Sequence, residues 1–387
     1  MIQINNPEYL VEDDSLIIST IFEIDNRENE LWYKLPKKYR SFLITETLDA
    51  YLVGLLFLGL KTGNDIHVKG SVSARLFYSI NHYVIPALCL SNPTYVKIKI
   101  SATNLSRNNF NEMGAGSTGL SCGVDSLATY YDSRLEAEGY GIQYFTFFNV
   151  GAHGEFGGEN ARALYNKRLD EVKGFANEEE KEIIPIDSNL SEILEMKFQQ
   201  TYTLRIISCV LLLQKGIKIY YYASGTRFDH FSFNNAEIAD MDMLLVPNLS
   251  TESTQFYPSA LQYTRFERTA LISNEPATYK YLNVCVHSHL TTNKINCSEC
   301  YKCMRTLITL EALGKLEEYQ QVFDLMKYKK NKNLYLGRVL SRKKKLTLDD
   351  ELLKFLKDKN QKISWRAYLY SWKIRQYRIR KKIFKNR

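Results

Sequence analysis

The chain has 387 residues, 45% of them apolar and with 27 Tyr and 19 Phe, which is enough for a real core and for two or three domains, and which excludes a disordered chain. The formal net charge of +8 is misleading, because ten Lys/Arg and no Asp/Glu fall within residues 361–387, leaving 41 basic against 43 acidic residues elsewhere. The body is therefore near neutral, and the basic excess speaks about the partners of the tail and not about the fold.

Residues 1–112 read as an N-terminal α+β domain. Leu16–Phe22 has the β-branched and aromatic content of a strand, Tyr39–Leu60 reads as an apolar helix, and Ile66–Val68 and Tyr95–Ser101 as strands. The longest apolar run, Tyr51 to Leu60, spans ten residues, too few to cross a bilayer. The N-terminus does not read as a signal peptide. Seven cysteines, three of them tightly clustered, suit a reduced compartment and metal binding better than a disulfide scaffold. The expectation is a cytoplasmic protein without membrane insertion.

Residues 113–284 alternate strand and helix. A loop at Ser121–Ser126 opens a helix running to about Gly139. Then come a strand at Gln143–Val150, a helix over Asn160–Ala176, a long helix from Ser191 to about Lys215, and a strand at Lys218–Ala223. This alternation predicts an α/β fold, a parallel sheet with helices on both faces and ligands at the carboxyl ends of its strands.

The loop reads Ser121-Cys122-Gly123-Val124-Asp125-Ser126. Small residues let backbone N–H groups approach an anion, and a helix start adds free donors and a positive dipole end. The hydroxyls of Ser121 and Ser126 can donate to phosphate oxygens. Gly114-Ala115-Gly116-Ser117-Thr118-Gly119 spells G-x-G-x-x-G, but that fingerprint needs a strand directly before it and a helix directly after, and another loop follows here.

Two strand exits and a charged segment follow. Asn149, Gly151 and His153 leave the strand at 143–150, where a plain turn fits as well as the adenine contact that a resemblance to PP-loop folds, set out below, would imply at this edge. Gly225 and Asp229 follow the strand at 218–223, and Asp229 reads either as a Mg²⁺ ligand or as a helix cap. Arg265 and Arg268 lie three apart, so one side of a helical turn can carry both toward phosphate, or toward solvent.

Residues 285–330 hold Cys285 and the run Cys297-x2-Cys300-x2-Cys303. Four thiolates close a tetrahedral Zn²⁺ site, with His287 or His289 as substitutes for Cys285. An iron–sulfur cluster is the alternative. Residues 331–387 form a basic helical tail in which Trp365, Tyr368, Tyr370, Trp372, Tyr377 and Phe384 are interleaved with the cations. That composition suits nucleic acid, an anionic membrane surface or an acidic peptide. The helical spacing of Trp365, Tyr368 or Leu369, and Trp372 predicts instead one apolar stripe packed on the body.

The segment from Ser121 to Ser126 resembles the S-G-G-x-D-S signature of the PP-loop ATP pyrophosphatase superfamily (adenine nucleotide alpha hydrolase-like), with Cys122 where glycine is usual. If that position takes a positive φ, its side chain is strained and can crowd the phosphates. The cysteine run is similar to the zinc site of the 7-cyano-7-deazaguanine synthases, although the gap from Cys285 to Cys297 is longer. It resembles more closely PP-loop proteins with a Val-Cys segment followed by Asn-Cys-x2-Cys-x-Lys-Cys-x-Arg-Thr. The likeness covers most of residues 115–315.

It implies a Rossmann-like PP-loop fold with an N-terminal α+β unit and a C-terminal cysteine-rich helical extension. ATP and Mg²⁺ would be bound by Ser121, Cys122, Gly123, Val124, Asp125, Ser126, Asn149, Gly225 and Asp229. Asp125, Ser126, Arg265 and Arg268 would act in catalysis. The implied reaction is adenylation of a carbonyl or carboxylate oxygen of a small molecule, completed by a nitrogen or sulfur nucleophile. The alternatives are a tRNA-modifying sulfurtransferase and a non-catalytic nucleotide-binding module. A sulfur-carrying role for Cys122 would compete with ATP for the loop.

Overall fold

The computed structural model describes residues 1–134, 139–286, 294–342 and 347–385. The chain is α/β, with a mostly parallel sheet of 11 strands. Two compact units emerge: the first contains residues 1–120 and 132–262, the second residues 121–131 and 263–387. These boundaries are not the ones at 112, 284 and 330 expected from composition.

The first unit holds the whole sheet: β1 Ile2–Ile4, β2 Glu8–Glu12, β3 Ser15–Ile24, β4 Arg27–Pro36, β5 Ile66–Ser73, β6 Ile100–Ser106, β7 Ala115–Gly119, β8 Ile142–Asn149, β9 Glu182–Ser188, β10 Ile217–Ala223 and β11 Gln255–Ser259. The strand order is β11-β10-β7-β8-β9-β4-β3-β1-β5-β6, with β2 on β3. β7, β8 and β9 run parallel, as do β7, β10 and β11. The chain therefore winds outward from β7 through β8 and β9, then returns to place β10 on the other side of β7. This reversal puts a topological switch point at the carboxyl ends of β7 and β10, where open parallel sheets bind ligands.

The N-terminal segment is not a separate domain. β4 pairs antiparallel with β9 through Tyr33–Ser188 and Lys34–Asp187, joining both parts in one sheet. β3 and β4 form a hairpin whose two-residue turn, Asp25-Asn26, has φ of 51° and 61°. Two left-handed residues match the twist of the flanking strands, and Asp and Asn tolerate that conformation.

Helix α1, Asp49–Thr62, is buried from Asp49 through Leu60. An all-round apolar helix is a core element, and Leu52, Leu55, Leu56 and Phe57 join Ile2, Val68 and Leu204 in the main cluster. The helix expected from Tyr39 is shorter than its apolar run. Lys37–Phe42 is a 3₁₀ turn, and the Ile44 amide leaves the helical pattern to donate to Leu212 O at 3.0 Å. The strand expected at Tyr95–Ser101 starts only at Ile100, because Tyr95 closes a turn on Asn92 O.

Helices α2, Ala74–Ser79, and α3, Ile85–Ser91, follow β5. Helix α4, Val124–Ser133, follows β7 and stops short of Gly139. Helix α5 spans Glu159–Glu178. The long helix expected over Ser191–Lys215 is broken into α6, Leu190–Leu194, and α7, Tyr202–Leu211, since Glu195 turns left-handed at φ 46°. Helix α8 is Asp242–Leu245. The second unit contains α9 Arg265–Ile272, α10 Pro276–Tyr281, α11 Tyr301–Ala312, α12 Leu325–Arg342, α13 Thr347–Asp358 and α14 Trp365–Lys385. No described helix is long and apolar enough to cross a membrane.

The G-x-G-x-x-G segment is itself strand β7. Its glycine at 116 is required by packing, since a Cβ there would lie 2.3 Å from the carbonyl oxygen of Gly141. The segment is thus a buried strand and not a dinucleotide loop.

Candidate functional site

The chain leaves β7 at Gly119 and reaches Ser121 two residues later. Ser121 and Ser126 Oγ are 3.0 Å apart, the Ser121 and Gly123 amides donate to Ser126 Oγ and Ser121 Oγ at 3.2 Å each, and Ser126 Oγ donates to Gly123 O at 3.2 Å. The loop therefore folds back on itself at the start of α4, with both hydroxyls on one side. Cys122 has φ 53° and is 2% exposed. It takes the left-handed backbone that glycine adopts freely, at a cost of about 1–2 kcal/mol for a residue with a Cβ. The expected strain is present, and the thiol is buried.

Asp125, in the first turn of α4, pairs with two arginines. Arg268 Nη1 donates to Oδ1 at 2.8 Å, and Arg265 Nη1 donates to Oδ2. Both arginines come from the first turn of α9, whose start is fixed by a capping box between Thr264 and Glu267. Arg268 is 1% exposed, so the alternative of a solvated charged face does not apply. Burial would raise the Asp125 pKa, but the Arg265 and Arg268 charges, the Arg268 hydrogen bond and the Lys302 charge more than offset it, and the carboxyl sits below its ordinary range.

Two further cations share this neighbourhood, and the site readings from sequence missed them. Lys302 and Arg305 lie on α11, which packs against α9. The ammonium of Lys302 is destabilised by burial and then by Arg265; burial and the Arg265 charge act in the same way on Arg305. Four cations thus surround one carboxylate. The signal was their placement, one residue before and two after Cys303, on the helix that the cysteine cluster starts.

Cys285, Cys297, Cys300 and Cys303 have all four Sγ atoms within 4.8 Å of one another, including pairs at 3.8 Å and 3.4 Å. Tetrahedral Zn–S bonds of about 2.3 Å put sulfurs ~3.8 Å apart. The group fits a single metal ion such as zinc; a cubane cluster spreads its cysteines over separate irons, further apart. Amides of Cys297, Cys300 and Cys303 donate to Cys285, Cys297 and Cys300 Sγ at 3.4, 3.3 and 3.4 Å, which stabilises thiolate charge. Ser298, left-handed at φ 61°, makes the tight turn. Asn296 accepts from the Val284 amide and donates to Leu282 O, both at 2.8 Å, which holds the Cys285 segment against the turn. Cys285 fills the fourth place; His287 and His289 lie outside the described residues.

The loop, Asp125, Ser126, Arg265, Arg268 and the four cysteines all belong to the second compact unit. Asn149, Gly225 and Asp229 belong to the first. Asn149 Nδ2 donates to Asp187 Oδ1 at 2.7 Å at the end of β8. Gly225 follows β10, and a Cβ at this position would meet only the Ala239 methyl, at 3.8 Å. Asp229 is engaged by Arg227 through both oxygens, and this pair holds its carboxyl low. His153 is buried against Phe147 and Tyr165, and burial followed by the Arg168 charge pushes its pKa down to about 3, so it is neutral at physiological pH.

No protein-family model, curated protein or solved structure matches this chain.

Proposed function

We propose that the chain is an AMP-forming ATP pyrophosphatase of the PP-loop kind. The observation that carries the reading is the Ser121–Ser126 loop: two hydroxyls side by side at a helix start, directly after the strand where the sheet order reverses, with Arg265 and Arg268 held on Asp125. In this reading the amides of the loop and of the start of α4, together with the Ser121 and Ser126 hydroxyls, bind the pyrophosphate part of ATP, whose oxygens take over the bonds that the Ser121 and Gly123 amides and the Ser126 hydroxyl make within the loop. Asp125 positions the two arginines, and their remaining N–H groups meet phosphate oxygens. Lys302 and Arg305 add positive charge; a Zn²⁺ held by four thiolates would offset part of it.

A carbonyl or carboxylate oxygen of a small-molecule substrate attacks the α-phosphorus. The O–P bond forms as the bond to the β-phosphate oxygen breaks, and pyrophosphate leaves with the electron pair. The cations and amides stabilise that leaving charge. A nitrogen or sulfur nucleophile then displaces AMP. No protein nucleophile is needed, so the catalytic contribution is positioning and electrostatics. Mg²⁺ arriving with ATP would neutralise further phosphate charge. The cysteine site would be structural, holding Zn²⁺ and starting α11.

Calorimetric titration with ATP, repeated with pyrophosphate present, tests the reading. Competition by pyrophosphate, and loss of binding in Ser126→Ala, support it; ATP binding indifferent to both contradicts it. A tRNA-modifying sulfurtransferase is the second reading, favoured by the basic, exposed helix α14.

A further inference from the structure

Helix α14 does not pack through its aromatic stripe. It lies against α12 by its small residues. Ala367 and Ser371 are buried, and a Cβ on Gly337 of α12 would come within 2.5 Å of Tyr370 Cβ and 3.0 Å of Ala367 O. Two of its cations complete the attachment. Arg375 Nη2 donates to Leu340 O at 2.8 Å and Arg378 Nη1 to Ser341 O at 3.4 Å, in the last turn of α12, where the carbonyls lack helical partners.

Among the described residues of α14, the aromatic side chains face outward. Trp365 is 69% exposed, Trp372 58% and Tyr377 66%, and Tyr368, Leu369 and Tyr370 are exposed as well. At roughly 100° per residue, Trp365, Tyr368, Leu369 and Trp372 form one stripe, and Tyr370 and Tyr377 lie about 120–140° round from Trp365. Arg366, Lys373 and Arg380 fall between these two aromatic sets, and no acidic residue occurs from Gln361 onward.

We propose that α14 is a docking surface for single-stranded nucleic acid, RNA in the first instance. Aromatic faces stack on bases while the cations between them meet the phosphates that join those bases. A membrane surface would need the cations segregated from the apolar face. Here, submerging both aromatic sets would submerge the three cations lying between them. The inference is independent of what the Ser121–Ser126 loop binds.

The test is fluorescence anisotropy of a labelled 20-residue oligouridylate with the full-length protein, over a range of KCl concentrations. Binding should weaken with a log–log salt slope of about −2 or steeper, as expected for three or more phosphates neutralised on a single strand. The double variant Trp365→Ala/Trp372→Ala should bind roughly tenfold or more weakly with an unchanged melting temperature, because both side chains are exposed. Arg366→Glu/Lys373→Glu should weaken binding and flatten the slope. Three results would overturn the proposal: no binding at low salt, affinity unchanged in the aromatic variant, or capture by phosphatidylserine vesicles without RNA binding.

Discussion

The backbone amide of Asn283 donates to the carbonyl oxygen of Cys122 at 2.8 Å. Two residues later stands Cys285, a member of the cysteine group, so one short segment braces both the candidate phosphate loop and the candidate metal centre. The next residue, Val284, is held in turn by Asn296. A thiolate site that loses its metal loses folding free energy with it.

Removing the metal should therefore weaken nucleotide binding as well as stability. Chelation, or Cys300→Ser, is expected to lower the melting temperature and to reduce ATP affinity several-fold, read by calorimetry, with zinc found by elemental analysis of the untreated protein. Metal-free protein that binds ATP as tightly as the loaded form would separate the two sites.

Arg268→Ala should be among the more damaging single changes at the loop. It removes one partner from an almost fully buried guanidinium–carboxylate pair, and the loss is about 2 kcal/mol, less than for a fully buried pair because the Asp125 side chain is 25% exposed. Since the Asp125 pKa lies below its unfolded value, this pair stabilises above the ordinary carboxylate range and fades only as pH falls through the lowered folded pKa. Denaturant melts of wild type and Asp125→Asn should thus differ most at neutral pH and converge in acid. Equal stability at neutral pH would show the pair to be idle.

Cys122→Gly should keep the loop, because glycine takes φ 53° without strain. ATP affinity within a few-fold of wild type is expected, while Cys122→Val, β-branched and costly at positive φ, should lose most of it. Loss of binding in the glycine variant would assign the thiol a role of its own.

In the first unit, Asp242 stands at the start of α8. Its carboxyl is fully buried and its pKa is pushed up to about 8, first by burial and against the hydrogen bonds from Ser224 and Thr203. A folded pKa above the unfolded one means stability present at low pH and lost as pH rises toward 8. Asp242→Asn should melt at a higher temperature than wild type at pH 8.5 and lose that advantage near pH 4. The same pH dependence in both proteins would rule Asp242 out as its source.

Local signals made much of the fold legible. The strands at Leu16–Phe22, Gln143–Val150 and Lys218–Ala223 and the helix at Asn160–Ala176 follow from apolar pattern and length. What was not legible depends on long-range partners. β4 has Leu31, Tyr33 and Leu35 buried in alternation after an Asp-Asn turn, a readable signal that charged neighbours obscure. Its pairing with β9 crosses some 150 residues and has no local trace. In the candidate site, cysteine spacing announces the metal group, and Arg265 and Arg268 three apart announce a shared face. Asp125 as their common partner, and Lys302 and Arg305 beside it, appear only once α9 and α11 are packed. For α14 the aromatic periodicity misleads, because close approach to Gly337 favours the small face of the helix over the large one.

The central claim is tested most directly by the nucleotide products. The protein, incubated with ATP, Mg²⁺ and a fractionated metabolite extract, should convert ATP to AMP and pyrophosphate in equal amounts, resolved by ion-exchange chromatography, and Ser126→Ala should fall to background. ADP and orthophosphate as the major products would contradict the account.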